Sequence, residues 1–92
     1  MSTIQHIEGM RVAVSIRGAK LRANVDNWHR VVREHEQLSI ENKGRFAEDG
    51  EWSARRMLAH ALLDLNANHD LFASISDTLR TIALREQAHL AR

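Results

Sequence analysis

The spacing of the apolar residues changes at Gly18, and this change constrains the fold more than any other feature of the sequence. Between residues 10 and 17, apolar side chains stand at every second position, at Met10, Val12, Val14 and Ile16. This spacing is typical of a strand with one buried face. A lone strand leaves its backbone donors and acceptors unpaired, so residues 3–7 are expected to fold back through Glu8-Gly9 as its partner. The sequence therefore predicts a β-hairpin within about residues 2–17.

Beyond Gly18 the apolar spacing becomes helical. From Leu21 to His35 the stripe recurs at intervals of four, three, four and three residues, which places its members on one face of a helix. This predicts a first helix over about residues 19–42. The stretch NKGRFAEDGEW, residues 42–52, holds two glycines and several charges and interrupts the apolar period, so it is predicted to be a loop.

Two further helices are predicted over about residues 52–66 and 69–90. Their apolar stripes are separated by Asn66, Asn68 and Asp70, which are residue types that favour turns and caps over helix interiors. A single bent helix across the same residues is the alternative. The predicted fold class is therefore α+β: one domain over residues 1–92, with a short N-terminal β-hairpin followed by three α-helices.

Length and composition exclude several classes of site. A chain of 92 residues buries only about 60 to 70% of the surface that its unfolded form exposes, so the core is expected to be thin. The sequence contains no cysteine, which excludes disulfides and thiolate metal ligands. No apolar run approaches the roughly 20 residues of a membrane span, and no basic and apolar leader opens the sequence. We expect a cytoplasmic protein that does not enter a membrane.

The charges are unevenly distributed, although the formal net charge is only +1. Residues 1–33 carry six Arg or Lys against two acids, whereas residues 34–51 carry six acids against two bases. Cations and side-chain amides together are the groups that contact phosphates. The residues predicted to contact a partner or the phosphates of RNA are Arg11, Arg17, Lys20, Arg22, Asn24, Asn27, Arg30 and Arg33. The acids that either are solvated or face a basic partner protein are Glu34, Glu36 and Glu41.

Structural explanations exist for the same charges. Arg11 and Arg17, on the outward side of the predicted strand, would also protect an exposed sheet edge from aggregation. Lys20, near a predicted helix start, opposes the helix dipole at a small cost. In the first helix, charges of opposite sign stand four residues apart, and each such pair stabilises a helix by about 0.2 to 0.5 kcal/mol. These are Arg22, Asp26, Arg30 and Glu34.

No motif in the sequence carries chemistry by itself. The histidines lack metal-binding spacing, since His29 and His35 are six residues apart and no His-Glu-X-X-His occurs. No serine stands in a Gly-X-Ser-X-Gly elbow, and no glycine loop that could cradle a phosphate is found. The sequence therefore predicts no catalytic residue, no metal, no cofactor and no small-molecule substrate.

Residues 50–65, GEWSARRMLAHALLDL, resemble the entry to the DinB-like four-helix metal hydrolases, in which Trp52-Ser53 would precede a helix bearing His60. The resemblance covers under a fifth of the chain and implies a metal-dependent enzyme. That family needs two further histidines on a later helix, and only His89 follows His69. A fragment of such an enzyme and a self-associating helical interaction domain are the two alternative functions.

The whole chain, from MSTIQHIEG through RANVDNWHRVVREHEQ, resembles phage-encoded anti-CRISPR proteins that act on type I-F systems. Those proteins share small size and near-neutral, charge-segregated surfaces, but no defining motif. The resemblance implies a non-catalytic inhibitor in the cytoplasm of an infected bacterium. It would bind the crRNA-guided surveillance complex, contact guide RNA and protein subunits, and block binding of target DNA.

Overall fold

The chain is a hairpin of two long helices. The computed structural model describes residues 3–42 and 45–90, with α1 at Thr3–Asn42 and α2 at Arg45–Leu90. The helices lie side by side in opposite directions, since Asn68 in the middle of α2 contacts Val14 and Arg55 near its start contacts Glu36. The hairpin measures 73 × 19 × 13 Å. Neither of these two helices contains a stretch apolar enough to span a membrane.

The predicted α+β fold is wrong, because the described residues contain no strand and residues 10–17 belong to α1. A helix satisfies its backbone hydrogen bonds within the segment, whereas the predicted strand needed a partner. The β-branched residues there lower helix propensity by at most about 0.7 kcal/mol each. Of the alternating residues, Val14 turns toward α2, while Val12 and Ile16 are 57% and 56% exposed. Alternation over eight residues was therefore coincidental.

The prediction of three helices is also wrong, because α2 continues through residues 66–70 without a break. The alternative of one helix across these residues is the arrangement observed. Asn68 fits the helix because its side chain lies between α1 and α2, 7% exposed, where Nδ2 donates to the Val14 carbonyl at 3.1 Å. Helix also replaces most of the predicted loop at 42–52, since α2 begins at Arg45; residues 43 and 44 lie outside the described residues.

Two stripes of buried and half-buried residues face each other along the hairpin, and we call them the seam. Their members recur at intervals of three, four or seven residues, which is the spacing of a coiled coil. In α1 the seam comprises Ile4, Ile7, Val14, Gly18, Leu21, Val25, Trp28, Val32 and His35. In α2 it comprises Ala54, Leu58, Ala61, Leu65, Asn68, Phe72, Ile75, Leu79 and Ile82.

The core along the seam is thin, as the chain length predicts. The described apolar residues that are classed as buried are Val25, Val32, Ala54, Ala61 and Ile75, and two of these five are alanines. Trp28 is half-buried in the seam, whereas Trp52 is 73% exposed. A two-helix hairpin therefore shields few side chains fully, and most of its apolar residues keep some contact with water.

Candidate functional site

The eight residues predicted to contact phosphates do not share one surface. All are exposed and all lie on α1, where successive residues turn by about 100°. Arg11 and Arg17 would share one side of a strand, but six residues of helix place them on different sides. Arg22 borders a groove beside Gly18 together with Ser15 and His69.

Four of the predicted residues do lie together, and we call them the basic strip. Arg17, Lys20, Asn24 and Asn27 are spaced by three, four and three residues, so they follow one side of α1 over about 15 Å. No ion pair among the described residues includes Arg17 or Lys20. These two cations are therefore available to an acidic or phosphate-bearing partner.

Arg30 is occupied by neighbours on its own helix. Its guanidinium donates to Glu34 Oε1 at 3.0 Å and to Asn27 Oδ1 at 2.8 Å. The Arg30–Glu34 pair predicted from the four-residue spacing is thus present, with both side chains about 60% exposed. Because water screens such a pair, it contributes only about 0.3 to 0.5 kcal/mol.

The three predicted acidic residues are also engaged within the chain. Glu34 accepts from Arg30, and Glu41 accepts from Gln37 Nε2 at 3.0 Å. Glu36 accepts from Arg55 Nη2 at 2.6 Å and so links the end of α1 to the start of α2. A partner protein that binds these acids would have to share them with their present donors.

Arg55 joins the two helices near the turn. In addition to Glu36, it donates to Glu51 Oε1 from Nη2 at 2.7 Å and from Nε at 3.1 Å. The hydrogen bond to Glu51, and after it the negative charges of both carboxylates, raises the pKa of the Arg55 guanidinium. Arg55 stays charged throughout the usual pH range, so loss of this link requires protonation of the carboxylates.

The seam has two edges with different chemistry. The Glu36–Arg55 pair and the groove lined by Ser15, Arg22 and His69 lie along one edge, which we call the polar flank. These residues each follow a seam position directly, and in an antiparallel pair of helices matching positions of both helices meet on the same edge. Every second seam position is followed by a residue of the polar flank, and the residues that directly precede the intervening seam positions therefore line the other edge.

That other edge is rich in apolar side chains. We call it the apolar flank and define it by Met10, Val31 and Leu38 of α1 with Met57 and Leu71 of α2. Met10, Leu38, Met57 and Leu71 are each 43 to 45% exposed. Arg17, Asn24 and Asp64 occupy the middle of the same edge, at the same seven-residue spacing. Sequence reasoning missed this surface, although the seven-residue period that reveals it is present in the sequence.

Beside the polar flank, Asn68 leaves one buried atom unsatisfied. Its Oδ1 is buried without a hydrogen-bond partner, and the same holds for Nδ1 of His35. His60, which the metal-enzyme resemblance singled out, is exposed on α2. Within residues 3–42 and 45–90 no three His, Asp or Glu side chains are grouped so that they could hold a metal ion.

Comparison of the chain with protein-family models, with curated proteins and with solved structures finds no match.

Proposed function

We propose that this chain is a non-catalytic interaction module, a helical hairpin that completes its core by packing its apolar flank against helices of a partner. The observation that carries the proposal is the amount of surface that the hairpin leaves exposed. Its accessible area is 7355 Å², whereas a compact monomer of 10.5 kDa exposes about 5,400 Å². The exposed apolar side chains of the apolar flank form part of that excess on one edge of the seam.

Helical packing explains why a partner is expected on this edge. In a two-stranded coiled coil, the seam alone is apolar, and the flanking positions carry charged residues. Here five flanking positions carry Met, Val or Leu, which widens the apolar face to the width found in helices of larger bundles. Partner helices seated on the apolar flank would cover side chains that the hairpin itself cannot shield.

A second candidate function is the inhibitor of a crRNA-guided type I-F complex that the sequence resemblance implies. The observation that favours it is the basic strip, in which Arg17 and Lys20 have no acidic partner among the described residues. Phosphate oxygens of a guide RNA would supply such a partner, and binding would then weaken with salt. Since Arg17 and Asn24 lie on the edge that bears the apolar flank, the two candidate functions use overlapping surfaces.

Capture of partners from a bacterial lysate that contains a type I-F system separates the two candidates. Tagged chain would be used with and without nuclease, and both proteins and RNA would be identified. Three double variants are compared: Met57→Glu with Leu71→Glu on the apolar flank, Arg17→Glu with Lys20→Glu on the basic strip, and Arg56→Glu with Arg80→Glu on the outer side of α2. The last two change the net charge by the same amount, so the third variant controls for charge alone.

We expect the apolar-flank variant to lose its protein partner and the charge control to retain it. The inhibitor function would instead be established if the unmodified chain recovers the surveillance complex with its crRNA and the basic-strip variant does not. Capture of the same partner, in equal amount, by the unmodified chain and by all three variants would contradict both candidates. Stoichiometric bound metal that disappears in His60→Ala would contradict a non-catalytic function.

A further inference from the structure

We infer that the partner helices belong to a second copy of this chain, and that two hairpins pack along their apolar flanks with their turns at opposite ends. The product is an antiparallel four-helix bundle. The inference rests on the proposed function and names its partner. Three features of the hairpin support it: the area left exposed, the arrangement of the apolar flank and the distribution of charge.

The exposed area is large enough to supply the interface of a stable dimer. The excess over a compact monomer, about 1,900 Å² per chain, exceeds the roughly 800 Å² per partner that a specific interface of standard size buries. The radius of gyration is 20.8 Å, against about 12 Å for a compact domain of this length. A second hairpin laid along the first covers one whole edge and brings the seam toward the interior of a bundle.

The apolar flank can pack against the same flank of a second copy that runs in the opposite direction. Met10 and Leu71 form one apolar segment, Val31 and Met57 form another, and the polar Asp64 lies between them. The contacts of Asn68 with Val14 and of His35 with Gly50 place these residues in that order along the hairpin. A twofold axis perpendicular to the hairpin near Asp64 sets the first segment of each copy on the second segment of the other.

Charge favours this orientation over the parallel one. Residues 34–51, around the turn, carry six acids against two bases, and a parallel pair would set the two acidic turns side by side. The open end, residues 3–20 and 72–90, carries five bases against three acids. With the turns at opposite ends, each acidic turn lies beside the basic open end of the other copy. The two Arg17 side chains then lie apart along the bundle, whereas a parallel pair would set them side by side.

The oligomeric state tests the second copy directly. We expect the purified chain to have a mass of about 21 kDa in sedimentation or light scattering, and to dissociate on dilution across about 1 to 500 μM. Leu71→Glu on the apolar flank should weaken the dimer at least tenfold. Leu63→Glu, the same substitution at a 65% exposed position on the outer side of α2, should leave it unchanged. Circular dichroism of both variants checks that they remain helical.

A wild-type chain that stays at 10.5 kDa throughout this range would overturn the inference. So would a Leu63→Glu variant that dissociates as readily as Leu71→Glu, because the outer side of α2 would then be the interface. The wild-type chain could instead be a monomer that captures a protein from lysate, and the apolar-flank variant could fail to capture it. That outcome would refute the second copy and leave the proposed function standing. A dimer that captures no other protein would support both.

The orientation is tested with one spin label in each copy. The chain has no cysteine, so Asp49→Cys provides a unique attachment site at an exposed position near the turn. Because Asp49 lies 15 helical residues from the axis near Asp64, turns at opposite ends of the bundle predict a distance between labels of roughly 45 to 50 Å. A distance below about 30 Å, the value expected for turns at the same end, would overturn the antiparallel arrangement.

Discussion

At the residue scale, the two helices pack closely where Gly18 of α1 faces Asn68 of α2. A Cβ at position 18 would lie 3.0 Å from Asn68 Nδ2, the atom that donates to the Val14 carbonyl. A side chain at position 18 would therefore require this amide to shift by a few tenths of an ångström. A buried amide that bonds to one particular carbonyl favours one alignment of the helices over others, at some cost in stability.

We therefore predict coupling between Gly18 and Asn68. Gly18→Ala gains about 1 kcal/mol of helix propensity but displaces the Asn68 amide, so its net effect in the wild type is expected to be below about 0.5 kcal/mol. In an Asn68→Ala background the obstruction is gone, and the same substitution should stabilise by about 1 kcal/mol. Urea unfolding of the four proteins measures the coupling, and strictly additive effects would contradict the contact.

Gly50 and Gly9 form a matched pair for a second prediction. A Cβ at Gly50 would lie 2.9 Å from two atoms of the His35 ring, whereas a Cβ at Gly9 meets nothing within 4 Å. We expect Gly9→Ala to stabilise the hairpin by about 1 kcal/mol and Gly50→Ala to give less or to destabilise. In a His35→Ala background, Gly50→Ala should stabilise the hairpin as Gly9→Ala does, because the ring that obstructs the new Cβ is gone. Equal melting temperatures for the two single variants would argue against the packing of His35 on Gly50.

At the element scale, each helix is longer than its local sequence suggests. Residues 10–17 alternate as a strand would, and residues 66–70 carry the polar residues of a turn, yet both lie within continuous helices. In both places one contact across the seam supports the helix: the Asn68 side chain of α2 donates a hydrogen bond to the Val14 carbonyl of α1. Most helical stability in proteins comes from such packing and less from propensity.

Proline substitutions test the continuity of each helix. Ala13 and Ala67 are both exposed, so the side chains can be changed without loss of packing. Ala13→Pro and Ala67→Pro are each expected to cost about 3 kcal/mol or more, because proline removes a helical hydrogen bond and clashes with the preceding turn. Ala13→Ser and Ala67→Ser serve as controls in thermal melts followed by circular dichroism. An Ala67→Pro variant that melts with its control would indicate a turn at residues 66–70.

At the scale of the whole molecule, the hairpin is a rod. Its length of 73 Å and its radius of gyration of 20.8 Å follow directly from two helices of 40 and 46 residues laid side by side. A rod of two helices has no interior away from its seam, so its functions are carried by surfaces along its length. The apolar flank, which both helices form, and the basic strip on α1 are two such surfaces.

Small-angle X-ray scattering tests this shape. We expect a radius of gyration near 21 Å for the Leu71→Glu monomer, and an increase of less than about 2 Å for the side-by-side dimer, because its length is that of one hairpin. A value near 12 Å would correspond to a compact domain and would contradict the hairpin. An end-to-end dimer would instead nearly double the longest dimension.

The sequence by itself determined the helical stripe from Leu21 to His35, the thin core and the separation of basic and acidic segments, because these depend on local spacing, length and composition. Only the tertiary structure decided that residues 10–17 are helical and that α2 passes through Asn68. Both outcomes depend on contacts between residues about 50 positions apart, such as Gly18 with Asn68, which local periodicity does not contain.

The candidate site divides in the same way. The cations of α1 were evident from the sequence, but which of them share a side depends on whether successive residues turn by 180° or by about 100°. The helix brings Arg17, Lys20, Asn24 and Asn27 together and separates them from Arg11 and Arg22. The apolar flank became visible only once α2 lay against α1, because three of its side chains come from α1 and two from α2, and the seam defines the edge on which they meet.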